Sequence, residues 1–214
     1  VVVGIVGAAV LAAKGAIYGA SGLVTWIGTK GFESVQRPPE LMTRDWTSDG
    51  LEPRATVFVV GPGLGKSDLA KRALMDVLAS GKPCVLDADA LNLLAEEPST
   101  ITTKQVVLTP HPAGAARLLG TSTDAVLRDP LLAASTLSAE RGTTVLLKGA
   151  QCVVADAAGC TVIHEGDATL STAGTGDVLA GLVAAYMAQG LSASDAAMLG
   201  AFVHGRAGTM RGAQ

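Results

Sequence analysis

The residues best suited to chemistry lie in a glycine-rich stretch near the end of the chain, Ser171–Gly181, which reads STAGTGDVLAG. Gly174, Thr175 and Gly176 come shortly before an apolar run at helical spacing, Leu179–Leu191. A glycine-rich turn that opens a helix points free backbone N–H groups and the positive end of the helix dipole at one place. The stretch therefore predicts an anion site built from backbone amides.

Asp177 lies at the entrance of this predicted site and has two interpretations. Aspartate is favoured at the beginning of a helix, where its carboxylate caps free N–H groups. A carboxylate beside a bound phosphate can instead act as a general base. A cap does not need the preceding Gly-Thr-Gly, whereas backbone that approaches a phosphate closely does. The residue types leave both roles open, and the glycines favour the base.

Three more polar residues follow apolar runs that read as buried strands. The carboxyl ends of such strands form the edge where α/β sheets bind ligands. Asp89 is either a ligand contact or the N-cap of a short helix that begins at Leu91. His111 lies between two prolines on a rigid loop, which favours ligand contact over a place in the core. Lys148, beside Gly149, suits a nucleotide phosphate, and a solvated lysine is the alternative.

A second glycine-rich run, Gly61–Ser67, imitates a phosphate-binding P-loop but departs from it at two positions. That loop has a glycine five places before its second glycine, where this chain has Val60. Pro62 also removes one of the N–H donors on which the loop depends. The spacing does not match the dinucleotide fingerprint either. A P-loop is the minor alternative, and we expect a turn whose backbone approaches a ligand or another strand.

Apolar periodicity places these residues on alternating strands and helices. The predicted strands are Val1–Val6, Leu23–Ile27, Thr56–Val60, Pro83–Leu86, Val106–Leu108 and Thr143–Leu147, with a hairpin of Cys152–Ala155 and Cys160–His164. The predicted helices are Ala8–Ala20, Asp68–Ala79, Leu91–Ala95, Ala113–Leu119, Thr123–Glu140, Leu179–Leu191 and Ala193–Thr209. Thr29–Pro53 reads as an irregular surface excursion. We expect His164 to face solvent and His204 to be packed rather than catalytic.

This alternation predicts a single α/β domain over residues 1–214, with a mainly parallel sheet, helices on both faces and a small antiparallel hairpin. Hydrophobic residues make up 49% and aromatic residues 3%, so the core must be aliphatic. A net charge of -3 argues against a nucleic-acid partner. No apolar stretch reaches the roughly 20 residues that a membrane span needs.

Three cysteines without zinc spacing predict reduced thiols and a cytoplasmic protein. The chain begins at Val1 rather than at methionine, so we expect the natural N-terminus to be missing or processed.

Five motifs, taken together and in order, resemble the ADP/ATP-dependent NAD(P)H-hydrate dehydratases of the ribokinase-like superfamily. They are VGPGLG at 60–65, LDADALN at 86–92, LTPHP at 108–112, LKG at 147–149 and TAGTGDVLAG at 172–181. The resemblance extends over nearly the whole chain. It implies a three-layer ribokinase-like fold, repair of hydrated nicotinamide cofactor, ADP or ATP as co-substrate with Mg²⁺, and a homo-oligomer, in the family a tetramer.

The resemblance also implies roles for single residues. Asp177 would be the base at the substrate hydroxyl, and the hydrate would also contact Ala8, Gly65 and His111. The nucleotide would be held by two groups of residues: Lys148, Gly149, Ala150, Gln151 and Cys152, together with Gly174, Thr175 and Gly176.

Three departures from the family pattern concern the substrate side of the site. Gly114 stands where the family usually has glutamate, and residues 167–170 replace a loop that contains Asn-Pro. Relatives also carry a glycine-containing loop between the first strand and helix, where Val6 here runs straight into Gly7. Because βα loops usually take two to six residues, we expect residues to be missing between these two positions.

Two other functions are compatible with the same motifs. A ribokinase-like small-molecule kinase would use Asp177 and the same anion site but release a phosphorylated product. A nucleotide-binding regulatory domain would have no turnover, although binding alone does not require a carboxylate beside a phosphate.

Overall fold

The computed structural model describes residues 2–3, 6–28, 36–96, 101, 103–166, 170 and 172–212. Its strands are β1 (Val2–Val3), β2 (Val24–Gly28), β3 (Leu41–Asp45), β4 (Phe58–Val60), β5 (Cys84–Leu86), β6 (Val106–Leu108), β7 (Thr144–Leu147), β8 (Cys152–Asp156) and β9 (Gly159–Ile163). Its helices are α1 (Val6–Tyr18), α2 (Trp46–Asp49), α3 (Asp68–Ala79), α4 (Ala88–Glu96), α5 (Pro112–Leu119), α6 (Thr123–Arg128), α7 (Pro130–Arg141), α8 (Thr175–Ala188) and α9 (Ala193–Gly212).

The strands form one sheet in the order β3-β2-β1-β4-β5-β6-β7-β8-β9. Neighbours pair in parallel from β3 to β7, and β8 and β9 add an antiparallel hairpin at one edge. The central strands are short, apolar and fully buried, as expected of parallel strands covered on both faces. The predicted mainly parallel α/β sheet with a terminal hairpin is confirmed.

Helices cover both faces of the sheet. Successive strand residues point to opposite faces of the sheet. Leu86 belongs to the cluster that includes residues of α3, α4, α5 and α7, whereas Val85 belongs to the cluster that includes residues of α1, α8 and α9. Both clusters are built almost entirely from aliphatic side chains and alanine. Within the described ranges, every helix is too short or too polar to cross a bilayer.

Helices α1 and α8 pack with their backbones almost touching. A methyl group on Gly15 of α1 would lie 2.2 Å from the carbonyl oxygen of Val178, and one on Gly181 of α8 would lie 1.9 Å from that of Ala12. Only glycine permits such an approach at both positions. The contact fixes the beginning of α8 over the carboxyl ends of the central strands.

The prediction of one helix over Thr123–Glu140 is wrong. The segment forms two helices, α6 and α7, with the break at Asp129 and Pro130. Proline lacks an N–H for the helix ladder and its ring obstructs the preceding turn, so it starts α7 rather than continuing α6. Asp129 completes the break, because its carboxylate accepts a hydrogen bond from the N–H of Leu132 at 2.9 Å.

The prediction of an irregular Thr29–Pro53 is also wrong in part. Strand β3 and the short helix α2 lie within this range, while residues 29–35 are outside the described residues. β3 is an edge strand that pairs only with β2, and of its residues only Leu41 is fully buried. A half-exposed edge strand lacks the strong apolar run that marks a central one.

The prediction of a first strand that extends to Val6 is wrong, while the expectation of missing residues between Val6 and Gly7 stays a prediction. Helix α1 begins at Val6 and runs through Gly7 without interruption, so Val6 belongs to the helix and not to the first strand. That strand is shorter than predicted and ends at Val3. Residues 4–5 lie outside the described residues.

Candidate active site

The carboxyl ends of three adjacent parallel strands bring polar side chains together. Asp87 follows β5, His111 follows β6 after a short loop, and Lys148 follows β7. The backbone connects these loops, because the N–H of Lys148 donates to the carbonyl of Pro110 at 2.8 Å. The beginning of α8 lies beside the same group of residues, so the site forms where the sequence places its strand ends and its glycine-rich turn.

Asp87 and Lys148 form an ion pair at the centre of the site. The Lys148 ammonium donates to Oδ1 of Asp87 at 2.7 Å. Asp87 is 2% exposed, and the Lys148 side chain remains partly accessible. A buried carboxylate requires a charged or hydrogen-bonding partner, and Lys148 provides it. Lys148 is therefore not a solvated lysine.

The first turn of α8 has the properties of an anion site. Gly174 is the N-cap, with φ of 89°, and no side chain caps the helix. In the described part of the chain, the N–H groups of Gly176 and Asp177 have no hydrogen-bond acceptor. The Lys148 ammonium lies directly over this turn, since a methyl group on Gly176 would be 3.1 Å from Nζ. Free amides, the helix dipole and one ammonium thus converge.

Asp177 is the third residue of α8 and does not cap the helix, whose N-cap is Gly174. Its carboxyl group is half-buried, and this burial is the main cause that raises its pKa from 3.8 to about 6. The negative charge of Asp87 raises the pKa further, and the positive charge of Lys148 opposes both effects. A carboxylate with a pKa near neutrality beside an anion site has the properties of a general base.

A cavity of about 580 Å³ opens on one side of Lys148. Its walls come from the beginning of α5, the β7–β8 turn, the segment after β9 and helix α9, and its lining includes His111, Pro112, Gly149, Ala150, Cys152, Glu165, Leu170, Ala201 and His204. His204 is half-buried and hydrogen-bonds to the backbone of Thr175. Burial lowers the pKa of His204, although this hydrogen bond counteracts the effect. The expected hydrogen bond of His204 is present, but the ring lines the cavity and is not packed in the core.

His111 is held in one tautomer by the helix that it begins. Its Nδ1 accepts a hydrogen bond from the N–H of Gly114 at 3.2 Å, which makes His111 the N-cap of α5. Because Nδ1 is the acceptor, the proton of the neutral ring is on Nε2, which is left to donate. Partial burial of the ring and the nearby positive charge of Lys148 lower the pKa of His111, which favours this neutral form.

The turn over Gly61–Gly65 approaches another strand rather than a phosphate. A methyl group on Gly61, whose φ is 123°, would lie 1.7 Å from the carbonyl oxygen of Asp87. The N–H of Gly65 donates to Oδ2 of Asp89 at 2.8 Å, which ties the turn to α4. Lys66 forms an ion pair with Glu96 at the surface. A P-loop would instead leave its amides and lysine free for a phosphate.

The sequence matches a family model described as NAD(P)H-hydrate dehydratase over residues 1–213. The chain belongs to the NAD(P)H-hydrate dehydratase family. Over 217 residues it is 42% identical to the ADP-dependent (S)-NAD(P)H-hydrate dehydratase of Neisseria meningitidis, with 95% of this chain and 72% of that protein covered. It is also 42% identical to the bifunctional NAD(P)H-hydrate repair enzyme of Coxiella burnetii, where 95% of this chain matches only 43% of that protein.

Solved structures of dehydratases and kinases share the fold. The ADP/ATP-dependent NAD(P)H-hydrate dehydratase of Bacillus subtilis, co-crystallised with ATP and Mg²⁺ and soaked with CoA, superposes with a TM-score of 0.88 at 26% identity. That match covers all of this chain and 82% of the other. The hydroxyethylthiazole kinase of Pyrococcus horikoshii superposes over 88% of this chain and 80% of its own with a TM-score of 0.61 at 18% identity, which shows the fold alone.

In this dehydratase-family chain, some of the residues predicted for the nucleotide line the cavity. These are Lys148, Gly149, Ala150 and Cys152. Gln151 is not among them, because its side chain is exposed and hydrogen-bonds to His164 at 2.8 Å. His164 is exposed, as predicted, and directly follows β9.

The residues predicted for the hydrate come from three separate segments. Ala8 lies in the first turn of α1, one turn before Leu11, which approaches Gly174 so closely that a methyl group there would be 2.5 Å from Cδ1. His111 lines the cavity beside Lys148, whereas Gly65 is held by its hydrogen bond to Asp89 of α4.

Sequence reasoning missed the part that Asp87 plays in this site. The motif Asp87-Ala88-Asp89 offers two carboxylates at the end of β5, and the sequence places both at the ligand-binding edge without giving Asp87 a role of its own. In the structure Asp87 faces the site, while Asp89 lies in the first turn of α4 and holds the Gly65 turn. The end of the buried strand marks the pair of carboxylates, but it does not single out Asp87.

Proposed function

We propose that this chain catalyses the nucleotide-dependent dehydration of (S)-NAD(P)H-hydrate to NAD(P)H. The observation that carries the proposal is the half-buried carboxyl group of Asp177, with a pKa of about 6, next to Lys148 and the free amides of α8. Family membership supplies the substrate class, and the site supplies a base and an anion site at a single place.

The proposed chemistry begins at the hydroxyl group of the hydrated nicotinamide ring. Hydroxide is a poor leaving group, so the hydroxyl must first be activated. Asp177 takes the hydroxyl proton while the oxygen forms a bond to the terminal phosphorus of the nucleotide, whose bond to the bridging oxygen breaks. The lone pair of the ring nitrogen then expels phosphate, and loss of a proton from the adjacent carbon restores the ring double bond.

The developing phosphoryl charge would be stabilised by groups already in place. The N–H groups of Gly176 and Asp177 and the ammonium of Lys148 lie together at the first turn of α8. Mg²⁺ would neutralise charge on the nucleotide phosphates. The described residues contain no cluster of three acidic, histidine or cysteine side chains that could hold a metal ion. We therefore propose that Mg²⁺ binds mainly through the nucleotide phosphates, as this ion commonly does.

Both substrates would bind around Lys148. The part of the cavity lined by Gly149, Ala150 and Cys152 suits the adenine nucleotide, and its polar wall includes His204. His111 lines the same cavity, and its Nε2–H can donate to the nicotinamide carboxamide, while Ala8 and Gly65 would also contact the hydrate. We propose ADP as the nucleotide, because the Neisseria relative is named ADP-dependent.

The test of this function is to supply pure (S)-NADH-hydrate with ADP or ATP and Mg²⁺ and follow NADH absorbance and phosphate release. Wild-type protein should form NADH and phosphate in equal amounts, and only when nucleotide is present. A phosphorylated product that accumulates without NADH would establish a kinase instead. Nucleotide binding without either product would establish a binding domain.

Asp177→Asn tests the base within this assay. The isosteric amide keeps the shape, so nucleotide affinity should be retained while kcat falls by about 10²–10⁴-fold. Asp68→Asn, which alters an exposed aspartate in the first turn of α3, is the matched control and should keep its turnover. Asp177→Asn turnover within tenfold of wild type would contradict the assignment.

A cytoplasmic location and a homotetramer belong to the same proposal. The three cysteines are free, which is typical of a reducing compartment. Helix α9 exposes Leu199, Phe202 and Met210, an apolar surface that supports assembly of several copies. Light scattering of the purified protein would test the tetramer, and a monomeric mass at micromolar concentration would contradict it.

A further inference from the structure

We propose that Asp87 is a positioning residue: its buried carboxylate holds the Lys148 ammonium over the first turn of α8, where the transferred phosphoryl group would lie. This inference rests on the proposed function. Asp87 itself is 2% exposed and lies beneath Lys148, so it reaches the reaction through the lysine and not by touching substrate.

The contacts of Asp87 explain why its side chain has a fixed place. Its N–H donates to the carbonyl of Val60 at 3.0 Å, and its own carbonyl group lies against Gly61 so closely that any side chain there would collide. The backbone at residue 87 is thus held against the carboxyl end of β4. Because Nζ of Lys148 donates to Oδ1 of Asp87 at 2.7 Å, the fixed carboxylate also fixes the position of the ammonium.

A lysine needs such a partner in order to act at a defined point. Its ammonium is carried on a flexible four-carbon stem, and a free lysine samples many positions. The Asp87 carboxylate selects the one in which Nζ lies next to Gly176. A donor that is already in place stabilises developing charge without reorganisation.

Asp87 has a second, electrostatic effect, on Asp177. Its negative charge is one cause of the raised pKa of Asp177, after burial, while Lys148 acts in the opposite direction. Two other helices contact the first turn of α8. His204 of α9, whose pKa is lowered, hydrogen-bonds to the backbone of Thr175, and the apolar Leu11 of α1 lies against Gly174. Removal of the Asp87 charge should therefore lower the pKa of Asp177.

The experiment compares the pH dependence of kcat for wild type and Asp87→Asn. The expected result is a loss of kcat of about 10- to 100-fold, together with a shift of the acid limb to lower pH by several tenths to about one pH unit. Asp87→Glu keeps the charge and should keep the acid limb of wild type. Asp89→Asn removes a neighbouring carboxylate that binds the Gly65 turn instead, and it should not move the limb.

Asp87→Asn leaves the Lys148 ammonium unpaired and could fold poorly for that reason alone, so a double variant is used as a second test. Asp87→Asn combined with Lys148→Met contains no unpaired charge. If Asp87 acts on turnover through the lysine, the double variant has the same kcat as Lys148→Met alone. An additional loss of more than about threefold, or an acid limb that does not move in folded Asp87→Asn, would overturn the proposal.

An activity-independent measurement separates this inference from the proposed function. The carboxyl carbon of Asp177 can be titrated by NMR in ¹³C-aspartate-labelled protein, with Asp177→Asn used to assign its signal. A lower pKa in Asp87→Asn supports the electrostatic part even if wild type does not turn over the hydrate, and an unchanged pKa contradicts it. Absence of wild-type turnover would count against the proposed function alone.

Discussion

Replacement of Asp177 by asparagine should make the protein more stable while it abolishes turnover. The folded state holds this carboxyl group half-buried and next to the charge of Asp87, which raises its pKa from 3.8 to about 6. At neutral pH the fold must therefore accommodate an ionised group in a place that favours the protonated form. Asparagine keeps the shape and removes the charge.

The magnitude follows from the pKa and the burial. The difference between 3.8 and about 6 corresponds to about 3 kcal/mol, at about 1.4 kcal/mol per pH unit. Because the carboxyl group is only half-buried, solvent screening reduces this to about 1–2 kcal/mol. The stability gain of Asp177→Asn is reduced by a few tenths of a kcal/mol, because asparagine lacks the favourable interaction of a carboxylate with the helix dipole.

The direction of the pKa shift determines how the free energy of unfolding depends on pH. The pKa of Asp177 is higher in the folded than in the unfolded state, so its favourable contribution is complete below pH 3.8 and is lost as pH rises through about 6. Asparagine does not titrate. The stability gain of Asp177→Asn over wild type should therefore be near zero at pH 4 and level off above pH 7.

Urea unfolding at pH 4 and pH 8 measures this gain for Asp177→Asn, with Asp68→Asn as the control for a carboxylate lost from an exposed first helical turn. The expected result is a gain for Asp177→Asn that is about 1 kcal/mol larger at pH 8 than at pH 4, with no comparable change in the control. A variant that is less stable than wild type at pH 8, or a gain independent of pH, would refute the reasoning.

Three further substitutions test other parts of the site. Lys66→Ala should leave ADP affinity within about twofold by calorimetry, because Lys66 pairs with Glu96; a P-loop lysine would lose at least tenfold. Gly176→Ala would place a methyl group 3.1 Å from Nζ of Lys148 and should lower kcat at least tenfold, whereas unchanged turnover would show that Nζ can move freely. Gly114→Ala should raise the unfolding free energy by about 0.5–1 kcal/mol, since its nearest neighbour would be 3.6 Å away; destabilisation would contradict this space.

The sequence predicts the central sheet well because fully buried strands carry an unmistakable pattern. β4, β5 and β6 read as uninterrupted apolar triplets; a glycine-rich turn follows β4, and polar residues follow β5 and β6. Parallel pairing then determines that those ends share one edge, so the meeting of Lys148 with the other strand-end residues could be expected. Boundaries moved by only one or two residues in most of these elements.

The errors arise where one local feature outweighs periodicity. Thr123–Glu140 has helical spacing throughout, but Pro130 interrupts it and Asp129 caps the second helix. β3 was missed because its burial comes from pairing with β2 and not from an apolar run of its own. In both cases the deciding interaction involves one residue or one neighbouring strand, which an average over a window does not register.

The choice between Asp87 and Asp89 could not be made from the sequence for a backbone reason. Ala88, between them, has a φ of 46°, an uncommon left-handed conformation for a residue with a side chain. It changes the direction of the chain as β5 ends and α4 begins. The alternation of a strand therefore no longer determines which carboxylate faces the site, and the partner Lys148 lies 61 residues further along the chain.

The balance of charge in the site explains why its base is poised near neutrality. Two carboxylates, Asp87 and Asp177, lie around one ammonium, Lys148, so the three groups sum to a negative charge when all are ionised. An anionic nucleotide is poorly received by such a site. A pKa of about 6 for Asp177 leaves the group ionised at neutral pH, as a base must be, and makes it a stronger proton acceptor than an ordinary aspartate. The amides of α8 and the ammonium of Lys148 supply the positive potential that offsets the repulsion between this carboxylate and the phosphoryl donor.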